Sequence, residues 1–476
     1  MPHVVIVGAG MAGLLSAYAA AQAGHQVTIF EAARTAGGAI APATFALPEG
    51  RLTVDAGAEA FAARSTLMSQ LIDQLDLADD VVTPQPAGSW LYLPDSGAVP
   101  APTVGMWGIP GDPGAPEVVA ALGAEAAARA AKELTLPMDT WARRRATGQP
   151  ITVGELVADR FGPTVLERLV APVVAGVHSA DPNDVAVETI APGLVEKAIE
   201  HGSVAKAIAA IRAAAPPGAA VKTLTGGMHR LINALVDHLT AQPGSDIRFN
   251  TRVTGLDMET KSVLTQHGEH IAADQVVLAI NAPAAFDLLS PSTRLTDRPA
   301  LGAGVALVML VLDSPQLDGQ PRGTGMLVSP AADHIRAKAV THVTAKWDWA
   351  QQQATSLAAH RHVLRLSYGR VTDPIDGSAP GYQTADEELR QLAIADAAAM
   401  FGLSQHHVSQ RLIATNVVRW REEMPLTTPD NRTRTAAIAQ AADTTDWLHV
   451  TGAWFAGTGL AAIAQHSSAH QFYPLQ

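Results

Sequence analysis

The stretch His3-Val4-Val5-Ile6-Val7-Gly8-Ala9-Gly10-Met11-Ala12-Gly13 decides the fold. Its five apolar residues read as a buried parallel strand. Glycines 8, 10 and 13 follow at the spacing of a dinucleotide-binding turn. Gly8 allows the tight bend, Gly10 lets backbone amides approach a pyrophosphate, and Gly13 lets helix and strand touch. Residues 14–20 continue as a helix whose N-terminus offers free N–H groups and positive dipole. Gln26-Val27-Thr28-Ile29-Phe30 is a second strand, and Glu31 closes it where a carboxylate accepts ribose hydroxyls.

Two further stretches point to FAD rather than a nicotinamide dinucleotide. Gly37-Gly38 gives another close backbone approach beside the pyrophosphate, just beyond Glu31 and Ala32. Asp55-Ala56-Gly57-Ala58-Glu59 reads as the loop that crosses the isoalloxazine in a two-dinucleotide-fold flavoprotein. With Ala9, Met11 and Ala12 in the turn, the expected cofactor residues here run through Gly57, Ala58 and Glu59.

Composition narrows the partners. The chain has 476 residues, 47% hydrophobic and 16% charged, with a formal net charge of −12. No basic surplus exists to neutralise nucleic-acid phosphates. There is no cysteine, so disulfides, thiolate metal sites and a cysteinyl-flavin bond are excluded, and FAD is expected to be held non-covalently. No metal centre is expected, since His406-His407 lacks ligand spacing. No secretory leader or apolar run of membrane-spanning length is visible, which sets the expectation of a cytoplasmic protein. Peripheral membrane contact stays open.

The fold class is therefore α/β: a Rossmann-like FAD-binding domain split in sequence, a mixed α+β substrate domain and a mostly helical insert. The FAD-binding segments are placed at 1–66, 221–284 and 413–476. The helical insert is 67–220, and the substrate-binding domain 285–412. Strands are expected near 247–256, 275–280, 305–312, 362–368 and 447–451, and helices near 231–239 and 385–400.

These pieces resemble the bacterial coproporphyrinogen III oxidase/protoporphyrinogen oxidase family of FAD-dependent proteins, within the amine oxidase superfamily. Beyond the turn and the 55–59 loop, Pro172-Val173-Val174-Ala175-Gly176-Val177-His178-Ser179-Ala180-Asp181-Pro182 is similar to a family segment, which usually has an aromatic where His178 stands. Leu224-Thr225-Gly226-Gly227-Met228, Lys346-Trp347, Val363-Leu364-Arg365 and Arg419-Trp420 with Met424-Pro425 match as well. The C-terminal Gly452-Ala453-Trp454-Phe455-Ala456-Gly457-Thr458-Gly459-Leu460 resembles the second flavin contact, after which Ala461-Ala462-Ile463 departs from the family pattern. The resemblance implies FAD contacts at Val253, Trp420, Gly452, Ala453, Thr458, Gly459 and Leu460. The last three would open a helix aimed at the flavin N1/O2 edge, stabilising the reduced anion.

The resemblance further implies a porphyrinogen substrate losing six electrons in three flavin turnovers, with dioxygen as acceptor and peroxide released. No acid–base dyad is implied, and the catalytic residues stay unassigned. The net negative charge and missing basic amphipathic anchor favour coproporphyrinogen III, with its four propionates, over apolar protoporphyrinogen IX. Arg64, Lys346, Arg365 and Arg370 are candidate propionate partners; Trp347 and Trp349 read equally as walls of a flat site and as core or surface packing. Arg143-Arg144-Arg145 reads as an exposed helix face. An amine oxidase-like enzyme and a non-catalytic flavoprotein or tetrapyrrole carrier are the alternatives from other classes.

Overall fold

The computed structural model describes residues 1–178, 180–214, 220–302, 304–370, 373–374, 376–426, 428–457 and 459–468. Five parallel strands form one sheet in the order Ser245–Arg248, Gln26–Phe30, His3–Val7, Gln275–Leu278, Leu448–Val450. Three separated stretches of chain thus share a single sheet. Alternation along its first strand sends Val4 and Ile6 to one face and Val5 and Val7 to the other, each into its own core. The helices Met11–Gln22 and His229–Ala241 cover the first face. Ala282–Leu289 and Pro429–Asp443 cover the second.

His3–Val7 lies between Gln26–Phe30 and Gln275–Leu278, so strand order reverses at its carboxyl end. Open α/β sheets bind ligands at such a switch point. The chain bends there at Gly8, whose φ of 102° favours glycine. A Cβ on Gly13 would lie 1.9 Å from the Gly8 carbonyl oxygen, so helix and turn meet at a distance only glycine permits.

A second sheet has seven strands in the order Leu412–Trp420, Val305–Asp313, Arg361–Tyr368, Ala339–His342, Gly325–Val328, Trp90–Leu93, Gly97–Pro100. Helix Asp386–Phe401 covers one face through Leu389, Ala393 and Ala397 against Val308, Leu364 and Leu366. Part of the other face is covered by the hairpin of Pro42–Leu47 and Gly50–Asp55, whose Phe45, Leu52 and Val54 pack on Met309, Val311 and Val363. Buried Arg361 secures this junction, pairing with Asp313 on its own sheet and Glu49 in the hairpin turn, both at 2.9 Å.

Within 116–214 the chain is helical and built on a buried ion pair. Arg160 donates to Glu133 Oε1 at 2.8 Å, and the Glu133 carboxylate caps the helix Val204–Ala214 by accepting from Val204 N at 2.7 Å. The expected exposed face at 143–145 is tied down: Arg144 pairs with Glu155, and Arg145 with Glu196.

Two boundaries differ from the sequence expectation. Leu412–Trp420, all but its first residue assigned to the third FAD segment, pairs along Val305–Asp313 in the seven-stranded sheet. Trp90–Leu93 and Gly97–Pro100, assigned to the helical insert, form that sheet's far edge. Both are short apolar runs, in which composition does not reveal the pairing partner. We propose domain limits drawn on the sheets, with the third nucleotide-binding segment starting after Trp420. The strand expected at 247–256 is two strands, Ser245–Arg248 and Val253–Asp257, broken by Asn250 at φ 53°.

The seven-stranded sheet buries His342, whose Nε2 lies 3.2 Å from His362 Nδ1. Burial first, then His362, pulls its pKa from 6.5 down to about 3. The folded protein therefore resists a proton that the unfolded chain accepts, and stability falls as pH drops below 6.5 toward 3. At pH 5 this residue alone should cost about 2 kcal/mol relative to pH 7. Urea unfolding of the parent and His342→Leu at both pH values checks this; equal acid losses in the two proteins would contradict it.

Candidate functional site: the dinucleotide cleft and the loop beside it

The cleft at the switch point has a volume of about 550 Å³. Gly8, Gly10, Met11 and Ala12 form its floor, with Glu31, Ala32, Gly37 and Gly38 beside them. A Cβ built on Gly10 meets nothing within 4 Å, so the backbone there opens onto free space wide enough for phosphate oxygens. Ala9 and Gly13 do not line the cleft; they build the turn. Gly37 N donates to Ala9 O at 2.8 Å, clamping the second glycine pair onto the first.

Glu31 holds the turn in place. Its Oε2 accepts from Ala9 N at 2.7 Å and its Oε1 from Ala33 N at 2.7 Å. Each oxygen keeps a lone pair for a ribose hydroxyl. Val253, Thr251 and Arg252 close the far end of the cleft, and Gly452, Ala453 and Leu460 its opposite wall. Four helices begin at this cavity among the described residues: Met11–Gln22, Ala282–Leu289, the single turn Ala453–Ala456, and Leu460–Ser468. Their dipoles and unpaired N–H groups suit an anionic ligand. Thr458 lies outside the described residues, and Gly459 is exposed.

The 55–59 loop joins this cleft to the seven-stranded sheet. Asp55 is buried and accepts from Met228 N at 3.1 Å and His229 N at 3.4 Å, fixing the N-terminus of helix His229–Ala241. The Trp420 indole donates to Ala56 O at 3.0 Å. Arg365 donates to the carbonyls of Asp55 and Gly57 at 3.0 and 3.2 Å. Ala58 reaches the cleft. Glu59 pairs with Lys346 at 2.5 Å and with Arg365 at 2.7 Å. Burial pushes the Glu59 carboxyl up, but Arg365 and Lys346 outweigh it and hold the pKa at about 2. The triad carries two cations against one anion.

Of the sequence-expected cofactor residues, those of the glycine turn that face outward, Glu31, Ala32, Gly37, Gly38, Ala58, Val253, Gly452, Ala453 and Leu460 line one cleft; Ala9, Gly13, Gly57, Glu59, Trp420 and the exposed Gly459 do not, and Thr458 lies outside the described residues. The candidate substrate cations fall elsewhere. Lys346 and Arg365 are engaged by Glu59; Arg64 is exposed; Arg370 binds the Ala337 carbonyl at 3.2 Å. Trp347 and Trp349 are core residues under Phe45 and Leu52, not walls of an open site. Sequence reading missed Asn281, which caps Ala282–Leu289 through Ala284 N at 2.9 Å and lines the cleft. Asn-Ala-Pro directly after a strand is a helix-start signal that would have found it. Glu422 and Glu423 were missed too, and no local signal marks them.

A switch-point cleft of this build, with a glycine turn, a carboxylate at the end of the second strand and a C-terminal wall, is that of an FAD-dependent oxidoreductase. The chain belongs to the family described as flavin containing amine oxidoreductase, which it matches over residues 11–465. It is 31% identical over 468 residues to a coproporphyrinogen III oxidase of Mycobacterium tuberculosis, covering 96% of this chain and 94% of that one. A Bacillus subtilis protein of the same name is 23% identical over 479 residues, with 96% and 94% covered. Among solved structures, an Exiguobacterium protein described as a candidate protoporphyrinogen oxidase superposes with a TM-score of 0.82 at 24% identity, covering 98% of this chain and 97% of that one.

The residues present fit FAD: the open space at Gly10 would take its diphosphate, and the remaining lone pairs of Glu31 would accept its ribose hydroxyls. Glu31→Ala removes the acceptor of two backbone amides as well as the ribose partner. FAD should bind roughly tenfold or more weakly. Flavin fluorescence during dialysis measures this, and unchanged retention would contradict the assignment.

Proposed function

We propose that this enzyme oxidises coproporphyrinogen III to coproporphyrin III with dioxygen, releasing peroxide, as a step of haem biosynthesis. Near-whole-chain similarity to proteins named for that oxidation carries the reading.

The geometry beside Glu59 supports it. Val418, Leu307, Ser367, Ala339 and Leu327 pair in one row across five strands. All five are half-buried on the face away from helix Asp386–Phe401. The row is uncharged and, at strand spacing, roughly 19 Å across. A flat macrocycle matches such a floor better than a small amine does. Helix Ala171–His178 meets its far end, where a Cβ on Gly176 would come 2.6 Å from Leu327 Cδ2.

Bound FAD supplies the hydride acceptor. The chain's own groups position and shield. Arg365 and Trp420 hold the backbone of the 55–59 loop rigid against the sheet. Lys346 and Arg365 place a net positive charge beside that loop, which favours negative charge developing on a neighbour. Because Glu59 engages both, the substrate's propionates are to be met at the rim of the floor by other groups.

Purified protein given coproporphyrinogen III or protoporphyrinogen IX under air tests the reading. Coproporphyrin fluorescence should appear with matching peroxide, and faster than protoporphyrin. A clear preference for protoporphyrinogen IX would overturn the substrate assignment while leaving the family intact.

A further inference from the structure

Four carboxylates, Glu31, Asp287, Glu422 and Glu423, line the dinucleotide cleft among the described residues, against one cation, Arg252. That balance is unusual for a site that takes a diphosphate. Three of the four are satisfied. Glu31 accepts two backbone amides. Asp287 forms a two-bond pair with Arg298 at 2.8 and 2.7 Å. Glu422 accepts from Asn281 Nδ2 at 2.8 Å.

Glu423 is different. It is half-buried, and among the described residues no side chain pairs with its carboxylate, whose donors are the backbone amides of Arg421 and of its own residue. The charged groups facing it are Glu422 beside it, Glu31 at the end of Gln26–Phe30, and, around the cleft, Asp287 and Arg252. Neighbouring Arg421 points away, stacking over Tyr382 at 5.5 Å. We infer that Glu423 holds the FAD diphosphate as the neutral acid, so that FAD binding takes up a proton at this side chain.

The physical case has two parts. A carboxylate with no side-chain partner beside other carboxylates is pushed toward its protonated form; burial raises the Glu423 pKa without a ligand, the two backbone amides lower it, and Glu422 and Glu31 raise it further, with a net rise. A diphosphate brings further negative charge and raises it more, while a protonated carboxyl offers an O–H to a phosphate oxygen. Binding and protonation are therefore linked. No electron or group transfer is involved; the proton comes from solvent.

The test measures FAD dissociation from the holoenzyme between pH 5 and pH 9 by recovery of free-flavin fluorescence, for the parent, Glu423→Gln and Glu423→Asp. The parent should lose affinity by about tenfold per pH unit over part of this range. Glu423→Gln should flatten that slope and bind FAD more tightly than the parent at the alkaline end. Glu423→Asp should keep a slope. Calorimetry of FAD rebinding in two buffers of different ionisation enthalpy should give net proton uptake for the parent and none for Glu423→Gln. Identical slopes in parent and Glu423→Gln, or weaker binding by Glu423→Gln at every pH, would overturn the inference. The second outcome would mean that the ionised carboxylate serves the cofactor as an acceptor.

Discussion

Glu59 keeps its charge in the interior only because Lys346 and Arg365 stand against it, and that one contact joins the two halves of the site. The carboxylate comes from the loop that leaves the nucleotide-binding segment; the cations come from the second sheet and the turn beside it. Breaking a buried pair by removing one partner typically costs about 3–5 kcal/mol, because the remaining charge is stranded. The loop is thus held at one register against the sheet. Arg361 with Asp313 and Glu49 does the same a short way along the hairpin. Relative placement of the cofactor cleft and the seven-stranded sheet is fixed by these two ties.

The division of labour explains how one scaffold separates cofactor binding from substrate choice. The five-stranded sheet and its helix N-termini present amides and dipoles, which recognise a dinucleotide whatever chemistry follows. In the proposed function, the seven-stranded sheet presents Leu307, Ser367, Ala339 and Leu327 as the uncharged floor over which a substrate would lie. The first set tolerates little change, since Gly13 touches the Gly8 carbonyl and Gly37 the Ala9 carbonyl. The second can vary side chain by side chain.

Much of the first set was legible in the sequence. His3–Val7, Gln26–Phe30, the helix start at Met11 and the place of Glu31 at the end of its strand follow from local pattern, because glycine spacing and strand period are properties of neighbouring residues. The second set was less so. Lys346 and Arg365 were visible as cations in family-like stretches, but their pairing with Glu59 spans 287 and 306 residues and leaves no periodic trace. Trp347 and Trp349 read equally as core or wall until the hairpin was seen to cover them. The place of Leu412–Trp420 in the second sheet, and the exposure of Glu423 to the cleft, likewise depend on contacts made only in three dimensions.

The central claim, that this FAD-dependent site oxidises a porphyrinogen, is tested most directly by anaerobic titration of the holoenzyme while its visible flavin absorbance is followed. Coproporphyrinogen III should bleach the flavin, and porphyrin should form in step with the bleaching, while polyamines and simple primary amines leave the spectrum unchanged. Bleaching by an amine but not by either porphyrinogen would contradict the account.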